Sequence, residues 1–421
     1  MLLKTVTLFI SLLSLNSLFS QVEEGKRITK ELCSENYFGR GYIKSGDSLA
    51  AEFLAKEFEK RGLKKLKKSW FQNFEFDVNT FPTNMEMKMD EKMLVPGEDF
   101  MVDPSSGSSK QTLKYKLVNR NDLKNPNNIT RILDEVQKDN SWNAVLFDCT
   151  DISKDTLNEI KIFSEYYLKS VDVIIVTNEK FTFSVSSKQY NHALIFVQSK
   201  AFKKDSEIET NIVAKLKKNH QARNVIAYLP AKKRTKKTLF LTAHYDHLGG
   251  MGNQTFFPGG NDNASGTSML LTLADEFAIY PLKYNLVFIA FAGEEAGLLG
   301  SKYFVENPLV KLKHIKFVQN LDIMGSGEDG ITVVNATIFP EIFDRLNAIN
   351  EKEKFLTQIK KRGKAANSDH YWFSEKGIPA FFIYTMGPNK NYHDVFDTYE
   401  ALSFNEYNDL VKLLGEFLRG F

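Results

Sequence analysis

Cysteine is all but missing from this sequence: Cys33 and Cys149 are the only two in 421 residues. Two thiols without C-x-x-C spacing exclude a thiolate metal centre, and sulfur chemistry with it. An exported location would permit a bridge between them without requiring one. An excess of one charge is missing too, since 55 Lys and Arg face 52 Asp and Glu for a net charge of +3. The Lys-rich stretches at 64–68, 215–218 and 232–237 therefore read as solvated faces near element edges, and no nucleic-acid partner is expected. Internal repeats and low-complexity tracts are also lacking. Long apolar runs are confined to the first twenty residues, so no stable membrane span is expected in the mature protein.

Those first residues carry Lys4, a largely apolar stretch from Val6 to Phe19, and Ser20 before the polar Gln21-Val22-Glu23-Glu24. Thr7, Ser11, Ser14, Asn16 and Ser17 interrupt the stretch, which falls short of the ~20 residues of a spanning helix. The pattern is that of a signal peptide over 1–20, cleaved near Ser20, which makes the mature chain secreted or periplasmic. No Cys follows the cleavage point, so lipid attachment there is not indicated.

What is present is an ordinary globular composition, 43% hydrophobic and 25% charged, with length for two or three domains. Ile28 and Leu32, then Leu49, Phe53, Leu54 and Phe58, recur at helical spacing, and Gly62 stops the second helix. From about Phe76 the texture changes to short strand-like runs (Val145–Phe147, Val171–Thr177, Ala193–Val197) with one helical stretch near Ile129–Gln137. After Asn224 strand and helix signals alternate to the end, with helices at Ser265–Tyr280 and Asn405–Leu418. The expected architecture is α/β, a mostly parallel central sheet flanked by helices. It is divided into 21–75 and 215–421 by a β-rich insertion over 76–214.

Chemistry gathers where the apolar runs end. Leu286–Phe291 leads into Glu294-Glu295, Thr238–Ala243 into His244, a Gly-rich loop into Asp262, Ile315–Leu321 into Asp322, and Tyr384–Asn391 into His393. Ligands of open α/β sheets bind beyond the carboxyl ends of the strands, and adjacent acids there call for a positive neighbour. Two imidazoles and three carboxylates form an N/O set suited to zinc. Five ligands are too many for one open catalytic zinc. With one carboxylate bridging, they divide into two three-ligand sites about 3.5–4 Å apart that share a water, as two-metal hydrolases require. Glu294, free beside Glu295, is then the general base.

The ordered motifs AHYDHLGG, GGNDNASGTS, FAGEEAGLLGS, QNLDIMG, SDHYWFSEKGIPA and NYHDVFDTYE resemble the co-catalytic zinc exopeptidase family of bacterial leucyl-type aminopeptidases and glutamate carboxypeptidase. The likeness covers about 25–75 and 215–421, including Gly39-Arg40. The insertion stands where many members carry a protease-associated domain. The resemblance implies a zinc aminopeptidase-like fold, two Zn2+ per chain and peptide substrates cleaved at the N-terminus. It implies that Asp262 bridges, with Glu295 and His393 on one zinc and His244 and Asp322 on the other. Glu294 takes the proton of the water and returns one to the leaving amine. Asp246 is the carboxylate expected to orient a ligand imidazole, and Tyr392 is a candidate donor to the oxyanion. Asp369 and His370 belong to a motif near the substrate pocket and either touch substrate or brace the site.

Other residues read more plainly. His247 is either on the rim of the site or structural, and His192, His220 and His314, outside the motifs, read as surface residues. Phe256, Phe257, Tyr371, Trp372 and Phe373 suggest a pocket for a hydrophobic side chain. Two other activities share the fold: a glutaminyl cyclase-type acyltransferase, using one zinc on Asp262, Glu295 and His393, and a carboxypeptidase. The latter needs a cationic pocket, and no Arg cluster stands out near the motifs. Side-chain preference, native metal and oligomeric state are left open by the sequence.

Overall fold

The computed structural model describes residues 21–139 and 141–421; the expected signal peptide lies outside them. A nine-stranded sheet forms the centre, with β1 (Lys64–Lys65), β2 (Phe71–Thr80), β3 (Lys215–Leu229), β4 (Thr238–His244), β5 (Asn285–Phe291), β6 (Ile315–Leu321), β7 (Ile331–Val334), β8 (Ile359–Lys361) and β9 (Ala380–Thr385). Its order is β1-β3-β5-β4-β6-β9-β7-β8, with β2 also paired to β3. The four middle strands, β5, β4, β6 and β9, are mutually parallel, and antiparallel pairs flank them.

Parallel strands covered on both faces read as continuous apolar runs, and β4 and β5 have that character. All of β4 is buried, and so is β5 after Asn285. Their side chains still sort by the two-residue period. Leu239, Leu241, Leu286 and Phe288 join one core, while Phe240, Val287, Ile289 and Phe291 join the other, packed around Phe304 and Phe373. Helix Gly266–Ile279 follows β4 and lies in the first core with Leu270, Leu271, Leu273 and Phe277 fully buried. At roughly 1.5–3 kcal/mol for each buried side chain, this helix holds the loop before it in place. Helix Tyr407–Arg419 packs beside it through Tyr407, whose hydroxyl meets Ser268 and Thr272.

The segment between β2 and β3 builds two further sheets. One has four antiparallel strands (Lys92–Met93, Met85–Met89, Ile208–Ile212, Ser109–Leu113). The other has five (Phe100–Val102, Leu194–Gln198, Asp172–Thr177, Ala144–Asp148, Tyr115–Val118), the last four of them parallel. Helix Pro126–Lys138 accounts for the single helical stretch expected here, but a second, Lys154–Tyr167, was not foreseen. Exposed Ile162, Phe163 and Tyr166 blur its period, although Leu157, Ile160 and Tyr167 define a buried face. The ribbon of β2 and β3 connects this part to the central sheet, and the boundary expected at residue 76 lies within β2.

Both cysteines are free thiols, Cys149 in the inserted part and Cys33 beside the main core of the central sheet. Burial pushes each up to about 12. His220 corrects the expectation of a surface residue: it is buried, with Nε2 2.6 Å from the Asp47 carboxylate. Among the described residues no helix is long and apolar enough to cross a membrane.

Candidate metal centre

The four parallel strands deliver their ligands side by side. His244 ends β4, Glu294 and Glu295 follow β5, Asp322 follows β6, and His393 lies in the loop after β9. Asp262 comes from the irregular turn Gly260–Ser265, which opens helix Gly266–Ile279. Its neighbour Gly259 has φ +56°, and a Cβ there would meet Asp262 O at 2.3 Å, the His247 ring at 2.4 Å and Arg40 Nη2 at 2.6 Å. Only glycine lets the chain pass that close.

All five proposed ligands converge. His244 Nε2 is 3.2 Å from Asp262 Oδ1 and 3.4 Å from Asp322 Oδ1. His393 Nε2 is 3.1 Å from Asp262 Oδ2 and 3.3 Å from Glu295 Oε2. The two oxygens of Asp262 thus face two separate imidazoles, the arrangement a bridging carboxylate requires. Each ring uses its other nitrogen as a donor: His244 Nδ1 to the Asp246 carbonyl at 3.1 Å and His393 Nδ1 to the Phe183 carbonyl at 3.0 Å. A neutral imidazole fixed in this way points the Nε2 lone pair at the oxygens. Lone pairs facing lone pairs at these distances repel unless a cation lies between them. His393 Nε2 and Asp322 Oδ1 are in fact buried without a hydrogen-bond partner. The donor set, all nitrogen and oxygen, fits zinc.

The electrostatics carry the same demand. Burial disfavours charge on His244, but Glu294, Asp322 and Asp262 outweigh it and raise the ring well above its ordinary value. His393, against the same burial, is pushed up to about 11 by Glu295 and Asp262. Burial also opposes charge on Glu295, yet His393 and His247 bring it down to about 2. Glu294 goes the other way. Burial raises it, and Glu295, Asp369 and Asp322 add to the rise against the opposing pull of His244. The carboxylates around them thus draw both imidazoles toward the charged form.

The remaining sequence candidates fall into two groups. Glu294 and Tyr392 line one cavity of about 280 Å³ together with His244, Asp262, Asp322 and His393. Tyr392 stacks on the His393 ring at 3.9 Å. Asp246 is fully buried behind the site, where its carboxylate accepts from Tyr42 Oη at 2.8 Å and Glu294 N at 3.2 Å. The closer acceptor for His244 is its main-chain carbonyl, with carboxylate Oδ1 at 3.9 Å. Asp369 and His370 are fully buried and absent from the cavity wall. Asp369 is pushed up to about 7 by burial, and the His370 ring lies 5.4 Å from Phe382.

The supports of the site include Ser368 and Asp397, which the sequence reading did not single out, and His247 and Arg40, which it named without a fixed role. Ser368, immediately before the Asp369-His370 pair, donates to Asp322 Oδ2 at 3.1 Å and accepts from Asn320 Nδ2 at 2.8 Å. His247 is fully buried, with Nδ1 2.7 Å from Glu295 Oε1. Asp397 accepts from the Asn261 and Asp262 amides at 2.9 and 3.0 Å. Arg40, also fully buried, donates to the carbonyls of Tyr245, Leu32, Pro258 and Gly259. The aromatic residues expected to form a pocket do not line the cavity. Phe257 and Phe373 are core, whereas Ile323, Phe382 and Tyr384 supply its apolar wall.

Comparison with known proteins agrees with this construction. Residues 224–418, which carry all five candidate ligands, match the description of peptidase family M28. Aminopeptidase YwaD of Bacillus subtilis (strain 168) is 32% identical over 217 residues, which cover 48% of this chain and 46% of the relative. The match thus spans about half the length of that curated protein. Among solved structures, BSAP, a zinc aminopeptidase from Bacillus subtilis, superposes with a TM-score of 0.70 at 20% identity over 94% of each chain. The aminopeptidase from Aneurinibacillus sp. strain AM-1 gives 0.61 at 19% identity, over 94% of this chain and 92% of the other. These two share the fold, insertion included.

Proposed function

We propose that the chain is a two-zinc aminopeptidase that removes N-terminal residues from peptides. The observation that carries this reading is the pair of ligand sets joined at Asp262, with Glu294 on the wall of the same cavity. His244 and Asp322 would hold one ion, His393 and Glu295 the other, with Asp262 between. Bound there, zinc supplies Lewis acidity for the scissile carbonyl and lowers the pKa of water toward neutrality. The protein does the rest. Glu294, whose backbone N–H is tied to Asp246, accepts the water proton and returns it to the leaving amine. Tyr392 stands at the cavity edge, where its hydroxyl would donate to the developing oxyanion.

A one-zinc cyclase of the same fold would have no use for a second set. His244 Nε2 facing two carboxylates favours two metals over one. The test is a panel of aminoacyl-coumarin amides and N-blocked peptides, with and without chelator, beside a zinc count. Hydrolysis of free-amine substrates, lost with chelator, and two zinc per chain are expected. Cleavage of blocked substrates alone, or a single zinc, would overturn the reading.

A further inference from the structure

The cavity that holds the ligands also holds one cation unused so far. Arg362 follows the short edge strand β8 in the basic run Lys360-Lys361-Arg362-Gly363-Lys364. Its backbone N–H bonds to Val333 O at 2.9 Å, so it continues the pairing of β8 with β7. Along an extended chain neighbours point to opposite faces. Lys361 accordingly turns away and pairs with Asp344 at 3.3 Å, and Lys364 pairs with Glu375. Arg362 turns to the cavity instead, where it is exposed and donates to Tyr384 Oη at 3.3 Å. Among the described residues it forms no ion pair with a carboxylate.

We propose that Arg362 and Tyr384 form a receptor for a substrate carboxylate, so that the preferred peptides carry an anionic group close to the scissile bond. This rests on the two-zinc aminopeptidase reading. Two divalent ions balance the charges of Asp262, Glu294, Glu295 and Asp322, which leaves the Arg362 guanidinium as the uncompensated charge of the cavity. A guanidinium presents paired donors that match a carboxylate. Tyr384 accepts from Arg362, which leaves its own hydroxyl proton free to point at the same anion. Ile323 and Phe382 beside them offer apolar wall for the methylenes that carry it. The carboxylate has two possible sources: the side chain of an N-terminal Asp or Glu, or the C-terminus of a dipeptide.

The experiment compares kcat/KM for coumarin amides of Glu, Asp, Leu and Ala, and for the dipeptide Leu-Gly against its C-terminal amide, in wild type, Arg362→Met and Arg362→Lys, with zinc content measured for each. Wild type is expected to favour one anionic class by about tenfold or more, the scale of a charge-assisted contact. Arg362→Met should erase that preference while keeping zinc content and the rate on neutral substrates within about twofold, and Arg362→Lys should restore part of it. Preference for acidic amides identifies a side-chain receptor, and preference for the free dipeptide a terminus receptor. Equal loss on neutral and anionic substrates, or no anionic preference in wild type, would overturn the proposal. If no free-amine substrate is cleaved, the aminopeptidase reading fails by itself. Calorimetric binding of Leu-Gly and its amide, and of glutamyl and leucyl amides, to zinc-loaded Glu294→Gln with and without Arg362→Met then decides the receptor. Weaker binding of the anionic ligands alone supports it, and unchanged binding refutes it.

Discussion

His393 and Phe183 hold each other by two hydrogen bonds, the imidazole Nδ1 donating to the Phe183 carbonyl at 3.0 Å and the Phe183 N–H donating to the His393 carbonyl at 2.8 Å. Phe183 belongs to the inserted part, so a segment without ligands of its own orients one. Its ring stacks on Phe257 at 4.8 Å, and nearby Lys180 binds the Lys390 carbonyl and Asp394.

Replacing Phe183 with Ala removes the stacking that fixes this carbonyl. Zinc on the side of Glu295 and His393 should weaken by roughly 10–100-fold, the usual cost of losing an outer partner of a ligand histidine. The ion held by His244 and Asp322 should weaken less. Stepwise chelator competition measures both, and equal affinities in the variant and wild type would refute the role given to Phe183.

Glu294→Gln should retain both zinc ions and lower kcat by about 10²–10⁴, the range of a general base. Glu295→Gln should instead lose metal, and it also disturbs the 2.7 Å contact with buried His247. Zinc analysis beside single-turnover kinetics separates the two. A Glu294→Gln protein depleted of zinc would contradict the division of labour.

Protons and zinc compete for the same ring nitrogens. Without metal, His393 is raised to about 11 and His244 well above 6.5. Stability from such groups is fully present below their unfolded value and lost as pH rises through the folded one. Asp369 and Asp397, both pushed up to about 7 by burial, have the same sign: their contribution falls between about pH 4 and 7. Glu295, brought down to about 2, has the opposite sign, and its contribution is lost only as pH drops below about 4.5. Metal-free protein should therefore lose stability as pH rises from about 5 to 9, while zinc binding, which expels the protons, strengthens. The Tm difference between zinc-loaded and chelated protein should widen over that range. A constant difference would refute the competition.

Arg40 satisfies four main-chain carbonyls that join the N-terminal helices to the loop before Asp262. Arg40→Ala should destabilise the protein by at least about 3 kcal/mol, since each buried acceptor left alone costs roughly 1–3 kcal/mol. Arg40→Lys should recover little, because a compact ammonium with three donors cannot span the places reached by a planar guanidinium. Denaturant unfolding provides the measurement, and recovery to within about 0.5 kcal/mol by Lys, the scatter of ordinary surface substitutions, would argue against the geometry.

The convergence of the candidate ligands was legible because each stands at a visible boundary, where a buried apolar strand such as Leu286–Phe291 gives way to Gly293-Glu294-Glu295. Parallel strand ends then bring together residues as distant as His244 and His393. Their supports were harder to read. Ser368 is one hydroxyl beside the more conspicuous Asp369-His370, and nothing local distinguishes the residue that reaches Asp322 from those that turn inward. Phe183 acts through its main chain, which no side-chain pattern reveals. Arg362 was hidden in a basic run that reads as solvated surface. Only the alternation of an edge strand separates it from Lys361.

The loop residues Leu248, Met251 and Phe257 share one apolar cluster with Phe81, Phe183, Ile195 and Ile208 of the inserted part. One of the insertion's two cores is thus shared with the rest of the chain, while the other, around Val145, Phe147 and Val173, is its own. Loosening of the shared core reaches Phe183 and, through its carbonyl, His393, so disorder there and weakened metal binding on that side should be coupled.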